Sequence, residues 1–298
     1  MGKATRNRGL DPETQFHEIY RNLSTFDFPW DINQALSFAL FRTYAVPSIG
    51  RLLDETRAFT AETQKRYDDT SLLLEVPLLD GFDSSRGKSA IRRINQMHRM
   101  YDISNDDMRY VLSTFVVVPK QWIDDYGWRK LTDDEVTASV NYYRTLGRHM
   151  GIKEIPEDYH AFEVLMDGYE SEHFAFDDGG RRVADATKGL LASFYPKPLA
   201  PAIDIFSRSL MDDALLESFG YRRPGRVARL LSIGGLKARA RVVAALPARR
   251  TPQYVSEMQR IRSYPNGFDI EKLGTFAGGC PVQHLAAEPV QQTASTGS

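Results

Sequence analysis

The chain has 298 residues and a formal net charge of −1, and 42% of its residues are hydrophobic and 26% charged. This composition is that of a globular protein with a sizeable core, and the balanced charge excludes an overall field that would attract nucleic acid or anionic lipid. No apolar run approaches the ~20 residues of a membrane-spanning helix. With one cysteine, Cys280, and no apolar segment typical of a secretory signal, we expect a cytoplasmic location.

Helical signals fill the first hundred residues. Asp11 as an N-cap with Pro12 at the next position predicts the start of a helix. Two segments, 31–46 and 60–76, have helical periodicity and are expected to end before the prolines that follow them. A turn-rich loop at 80–87 then leads into a helix that contains "AIRRINQMHRMYD".

The middle of the chain shows two helix starts. Ser104 followed by Asp107 resembles a capping box, and Thr132 with Glu135 is a complete one. Pro119 should kink or break the first of these helices.

The remaining sequence also has helical rather than strand periodicity. Four further segments are predicted to be helical, namely 156–174, 179–195, 201–220 and 225–246. No segment alternates between apolar and polar residues over the length of a strand. We therefore predict an all-α fold of about ten helices.

A single domain is predicted for residues 11–265, because no repeat or low-complexity linker divides them. Residues 1–10 are expected to form a flexible N-terminus. Residues 266–298 are rich in Gly, Ala, Gln, Ser and Thr, and they are expected to form a flexible tail. Cys280 and His284 lie in this tail, and neither is given a role.

A histidine lies in the middle of an apolar helix face. Ile91, Ile94, His98 and Tyr101 follow each other at spacings of three and four residues, which places them on one side of a helix. From periodicity alone, His98 is either a core histidine bonded to a backbone carbonyl or a ligand for a buried group.

Two Glu-x-x-His sequences, "EDYH" and "ESEH", raise the possibility of a di-iron site. Their histidines, His160 and His173, are thirteen residues apart on what is predicted to be one helix, which separates them by ~20 Å. They can share a metal pair only if the helix folds back near Gly168. A non-haem di-iron protein is therefore kept as a remote alternative.

The stretch "KRYDDT" combines three polar residues on one helix face. Arg66, Asp69 and Thr70 have the spacing of helix neighbours, and the apolar run "LLLEVPLL" follows them. The face is either solvated, with an internal Arg66–Asp69 pair, or part of a polar site at the edge of an apolar region.

Several of these stretches together resemble the oxygenases related to fungal MpaB and, more remotely, the latex-clearing rubber oxygenases. The specific pieces are "FPWD", "RYDDT", "RINQMH" and "YGWRKLT", which occur in the same order as in that family. The resemblance runs from about residue 11 to residue 252.

The resemblance implies an all-α domain that encloses a haem b pocket. It makes His98 the proximal ligand of the haem iron, which would explain a histidine on an inward helix face. Arg92 and Arg93, beside His98, are candidates to bind the haem propionates, as is Arg99.

On the distal side, the resemblance assigns Arg66, Asp69 and Thr70 as catalytic candidates. Arg66 and Thr70 can donate hydrogen bonds to bound oxygen, and Asp69 can orient Arg66 or relay a proton. Asp69 stands where the rubber oxygenases have a lysine, so we do not expect lysine to cap the iron here.

The expected function is that of a haem b-dependent oxygenase acting on an apolar, isoprenoid-like substrate with dioxygen or peroxide. A haem peroxidase on the same scaffold is one alternative, and a haem-binding or haem-sensing protein without turnover is another. No nucleic-acid partner is expected.

Overall fold

The structure, a computed structural model, describes residues 6–274 and is all-α over that range, as predicted. Within residues 6–274, thirteen α-helices follow one another in a single helical domain. They are α1 (Phe16–Asn22), α2 (Pro29–Tyr44), α3 (Pro47–Glu55), α4 (Ala58–Ala61), α5 (Thr63–Asp80), α6 (Ser85–His98), α7 (Asn105–Tyr126), α8 (Asp133–His149), α9 (Tyr159–His173), α10 (Asp178–Ser193), α11 (Ala200–Ser209), α12 (Asp213–Ser218) and α13 (Arg226–Ala245).

Side-chain caps start α7 and α8 where the sequence predicts. The Ser104 hydroxyl accepts the backbone N–H of Asp107 at 2.9 Å. At α8, the Thr132 hydroxyl accepts the Glu135 N–H at 3.2 Å, and the Glu135 carboxylate accepts the Thr132 N–H at 3.0 Å. These bonds satisfy backbone donors that have no partner within the helix.

The helix boundaries predicted at Asp11 and before Pro77 are wrong, and Pro119 does not break its helix. Asp11 caps no helix, because its carboxylate accepts the Thr14 hydroxyl at 2.7 Å in a turn and α1 begins five residues later. Pro77 and Pro119 lie inside α5 and α7, which continue beyond them. Both prolines are buried, and packing around them stabilises the helical path although each proline removes one backbone hydrogen bond.

The core is built around α7, which packs against α2, α8 and α9. Tyr110, Val117 and Ile123 of α7 are fully buried beside Phe41 of α2 and Phe162 of α9. Around this centre, α1 packs on α8, α5 on α6, and α3 on α10.

The crossing of α3 and α10 requires glycine. A Cβ built on Gly50 would lie 2.7 Å from the Cα of Gly180, and a Cβ on Gly180 would collide with the carbonyl oxygen of Tyr44. The two backbones therefore meet without side chains between them, and this contact fixes α3 against the rest of the domain.

Residues on both sides of the range 11–265 take part in the packing. Asn7, in the segment predicted to be flexible, donates a hydrogen bond of 3.1 Å to Glu135. Residues 247–274 run back across α5 and α6; we call them the C-terminal strap. Leu273 of the strap is fully buried and Ile270 is nearly so, in a part of the chain predicted to be tail. Cys280 and His284 lie outside the described residues.

None of the described helices combines the length and the apolar character needed to cross a bilayer.

Candidate active site

A cavity of about 510 Å³ lies between α2, α3, α5, α6 and α7. Its wall is mostly aliphatic, with Leu40, Leu52, Leu73, Ile94, Val111 and Leu112 among its residues. His98, Arg66 and Thr70 also line it. Two of the sequence stretches that carry the family resemblance therefore contribute polar groups to one largely apolar space.

His98 lies at the last residue of α6 and faces this cavity. Ile91 and Ile94, on the same helix face, are buried as the periodicity predicts. The Nδ1 atom of His98 is buried and has no hydrogen-bond partner among the described residues. Burial, and then the positive charge of Arg66, lower the pKa of His98 to about 4. The imidazole is therefore neutral at pH 7 and can offer a lone pair.

Arg66 and Thr70 lie on α5 and are joined by two hydrogen bonds. Nη1 of Arg66 donates a hydrogen bond of 2.6 Å to Thr70 Oγ1, and that hydroxyl donates one of 2.8 Å to the Arg66 carbonyl oxygen. The guanidinium carbon lies 5.1 Å from the ring centre of Phe59. Burial lowers the pKa of Arg66, whereas the nearby Asp69 raises it.

Asp69 does not join this pair, and its hydrogen bonds among the described residues go to partners other than Arg66. Asp69 is fully buried, and its carboxylate accepts Lys65 Nζ at 2.7 Å and the hydroxyl of Tyr264. It is not among the residues that line the cavity. The structure gives Asp69 a role in holding the C-terminal strap.

Two further carboxylates, neither of them a candidate site residue from the sequence, hold the same strap. Asp68 accepts the backbone N–H groups of Arg262 and Ser263 at 3.0 and 2.8 Å. Glu75 accepts those of Val255 and Ser256. Glu75 interrupts the apolar run "LLLEVPLL", and a lone acid in such a run is the signal that could have revealed it.

The arginines beside His98 do not reach the cavity. Arg93 is buried and donates a hydrogen bond of 2.6 Å to the carbonyl of Leu273 in the strap, while Arg92 and Arg99 are exposed. The cation at the cavity rim is instead Arg51 of α3, whose side chain is 63% exposed and pairs with Asp177 at 2.9 Å. No local motif in the sequence marks Arg51.

The described residues do not form a di-iron site. His160 and His173 lie on one continuous helix, α9, which does not fold back at Gly168. His173 stacks on Tyr169 with ring centres 4.0 Å apart. Within residues 6–274, no group of three or more His, Cys, Asp or Glu side chains is arranged to hold a metal ion.

A second cavity, of about 120 Å³, adjoins the first. The two cavities share part of their walls, formed by Leu40, Tyr44, Phe59, Arg66, Thr70, Leu74, Phe115 and Leu146. Gln253 and Val255 of the strap line the smaller cavity. Arg66 and Thr70 thus lie at the junction of two apolar spaces.

The fold and this site define an all-α protein with a neutral histidine directed into an apolar internal cavity. The chain belongs to the family described as "ER-bound oxygenase mpaB/B'/Rubber oxygenase, catalytic domain", which matches residues 34–246. The resemblance inferred from the sequence is therefore confirmed. The match includes Arg66, Thr70 and His98 but ends before the strap. Membership in this family supports an oxygenase-type function.

Curated relatives agree with this assignment. The chain is 30% identical over 224 residues to ER-bound oxygenase mpaB' of Penicillium brevicompactum, covering 69% of this chain and 53% of that protein. It is 30% identical over 231 residues to ER-bound oxygenase mpaB of the same fungus, covering 71% and 58%. For ER-bound oxygenase mpaB of Penicillium roqueforti (strain FM164), identity is 30% over 222 residues, covering 68% and 74%. The chain thus spans little more than half the length of the first two relatives.

Proposed function

We propose that the chain is a haem b-dependent oxygenase that acts on an apolar, isoprenoid-like substrate with dioxygen or peroxide. The observation that carries the proposal is His98, which is neutral and has a buried ring nitrogen without a protein partner, and which faces the same cavity as Arg66. A neutral imidazole is the form that binds a metal.

The cavity fits a haem group in size and chemistry. Its volume of about 510 Å³ is within the ~300–1,000 Å³ typical of ligand and cofactor sites. The aliphatic wall suits the macrocycle, and His98 would bind the iron. Arg51 at the rim, rather than Arg92 or Arg93, would bind a propionate, because it lines the cavity and they do not.

Haem, when bound, would supply the dioxygen chemistry, and the protein would supply binding, orientation and hydrogen bonds. The Thr70 hydroxyl proton is already donated to the Arg66 carbonyl, so Thr70 acts by positioning the guanidinium. Arg66 keeps N–H groups besides Nη1 that can donate to a bound ligand. Asp69 has no catalytic role in this proposal, because it does not line the cavity.

The adjoining smaller cavity would accommodate part of an apolar substrate on the Arg66 side of the site. Its lining includes Leu36, Leu74, Leu78 and Leu190, which exclude water and bind hydrocarbon by apolar contact. The substrate would then meet Arg66 and Thr70 at the shared wall.

An absorption spectrum with iron quantification tests the proposal. The full chain should purify with, or take up from added hemin, about one non-covalent haem, because it lacks a Cys-x-x-Cys-His sequence. His98→Ala should lose the bound haem. The matched control is His160→Ala, since the His160 side chain is 82% exposed and does not line the cavity. A protein that stays colourless with hemin, or a His98→Ala variant with an unchanged Soret band, would overturn it.

A further inference from the structure

The helix α13 presents an apolar face that no described residue covers. Val227, Leu230, Leu231 and Val242 are between 60% and 71% exposed, and Leu246 after the helix is 55% exposed. Only Leu236 and Ala240 of α13 are buried among the residues that the structure describes. Contiguous exposed apolar surface of this kind marks an interaction site.

The exposed residues form a stripe along the helix. Val227, Leu231 and Val242 are separated by four and eleven residues, which are close to whole numbers of helical turns. Leu236 and Ala240 lie on the opposite side and face the domain. The helix is therefore amphipathic, with its apolar stripe turned outward.

The charged residues on and next to α13 are all positive. Residues 226–250 contain seven Lys or Arg residues and no Asp or Glu, although the whole chain has a net charge of −1. Arg239 pairs with Asp31 at 2.8 Å, and Arg229 lies 3.7 Å from Asp213. Lys237 and Arg241, which flank the stripe, are exposed and have no ion pair with a described residue.

We propose that α13 docks on a lipid bilayer surface that carries anionic headgroups. An amphipathic helix with an apolar face and a basic flank lies in the plane of the interface, with its apolar residues in the acyl boundary and its cations at the headgroups. A second copy of the chain fits less well, because a two-fold contact through this face would bring its cations against one another. This docking is independent of the proposed haem chemistry.

Vesicle co-sedimentation of the full chain tests the proposal. The chain should bind vesicles of phosphatidylcholine and phosphatidylserine in equal amounts, bind phosphatidylcholine alone much more weakly, and be released by salt. Leu230→Ser with Leu231→Ser should weaken binding about 100-fold, since each leucine contributes roughly a factor of ten or more on burial. Lys237→Gln with Arg241→Gln should weaken it roughly 30-fold.

Matched controls separate this face from general surface properties. Val164→Ser with Phe176→Ser removes two exposed apolar residues elsewhere, at 58% and 57% exposure, and should leave binding unchanged. Lys130→Gln with Lys153→Gln removes two exposed cations elsewhere and should have a small effect. Absence of binding to the anionic vesicles would overturn the proposal, as would equal binding by the Leu230/Leu231 variant. A dimer in solution that this variant converts to monomer would assign the face to a second copy instead.

Discussion

Arg66 Nη1 donates a 2.6 Å hydrogen bond to the Thr70 hydroxyl, which in turn donates to the Arg66 carbonyl. This loop of two hydrogen bonds within one turn of α5 uses the whole donor capacity of Thr70 and holds the guanidinium beside the cavity that His98 lines. The charge of Arg66 is one of the two causes of the low pKa of His98. The two polar stretches of the site are thus electrostatically coupled across an apolar space.

The first prediction concerns this coupling. Arg66→Gln should raise the pKa of His98 above about 4, because it removes a neighbouring positive charge. The pKa should remain below the ordinary value of about 6.5, since burial is the larger cause and persists. NMR titration of the histidine ring in haem-free protein measures the change. Lys65→Gln is the control, because Lys65 points at Asp69, and it should leave the His98 titration unchanged.

The sequence predicts that the His98 side chain points into the protein. It does not predict where the Asp69 side chain points. The spacing of Ile91, Ile94 and His98 determines which helix face is buried, and local periodicity contains that information. Asp69 is directed away from Arg66 by Tyr264, which lies 195 positions further along the chain.

Contacts between residues far apart in the sequence also determine the orientation of Arg93 and the continuity of the two helices that contain proline. Arg93 binds the Leu273 carbonyl across 180 positions, so its neighbour His98 gives no indication of that partner. Pro77 and Pro119 are strong local breakers, but tertiary packing outweighs the local preference in both α5 and α7.

The second prediction treats Asp69 as an anchor of the strap. Asp69→Asn should lower the free energy of unfolding by ~1–3 kcal/mol, because it weakens the buried bonds to Lys65 and Tyr264. Tyr264→Phe removes one of these bonds and should cost ~1 kcal/mol. Denaturant unfolding measures both, and limited proteolysis should show faster cleavage between 247 and 274. Unchanged stability with a large loss of turnover would restore Asp69 as a proton relay.

The third prediction concerns the pH dependence of stability. The pKa of His98 is about 4 in the folded protein, below the ~6.5 of an unfolded chain, so the unfolded state binds the extra proton between these values. The free energy of unfolding should therefore fall as the pH drops from 6.5 toward 4, with up to ~1.4 kcal/mol per pH unit from this group. Above pH 6.5, His98 does not contribute to the pH dependence of the free energy of unfolding.

A variant isolates that contribution from the many other titrating groups. His98→Leu should have a shallower decline than the wild-type protein between pH 6.5 and 4, when both are haem-free and unfolded with denaturant. Parallel pH profiles for the two proteins would mean that His98 is not desolvated in the folded state.

The fourth prediction uses two glycines of α10 that differ in their surroundings. Gly180→Ala should destabilise the protein by ~1–3 kcal/mol, because its Cβ would meet the Tyr44 carbonyl oxygen where α10 crosses α3. Separating these helices would also displace Arg51 and Leu52, which line the large cavity. The affinity for hemin should therefore decrease together with the stability. Gly189→Ala is the matched control on the same helix, since a Cβ there has no heavy atom within 4 Å. It should raise stability by up to ~1 kcal/mol, because alanine is the better helix former. Thermal unfolding and hemin titration of the two variants measure both effects, and an equal response to the two substitutions would show that the α3–α10 contact is not tight.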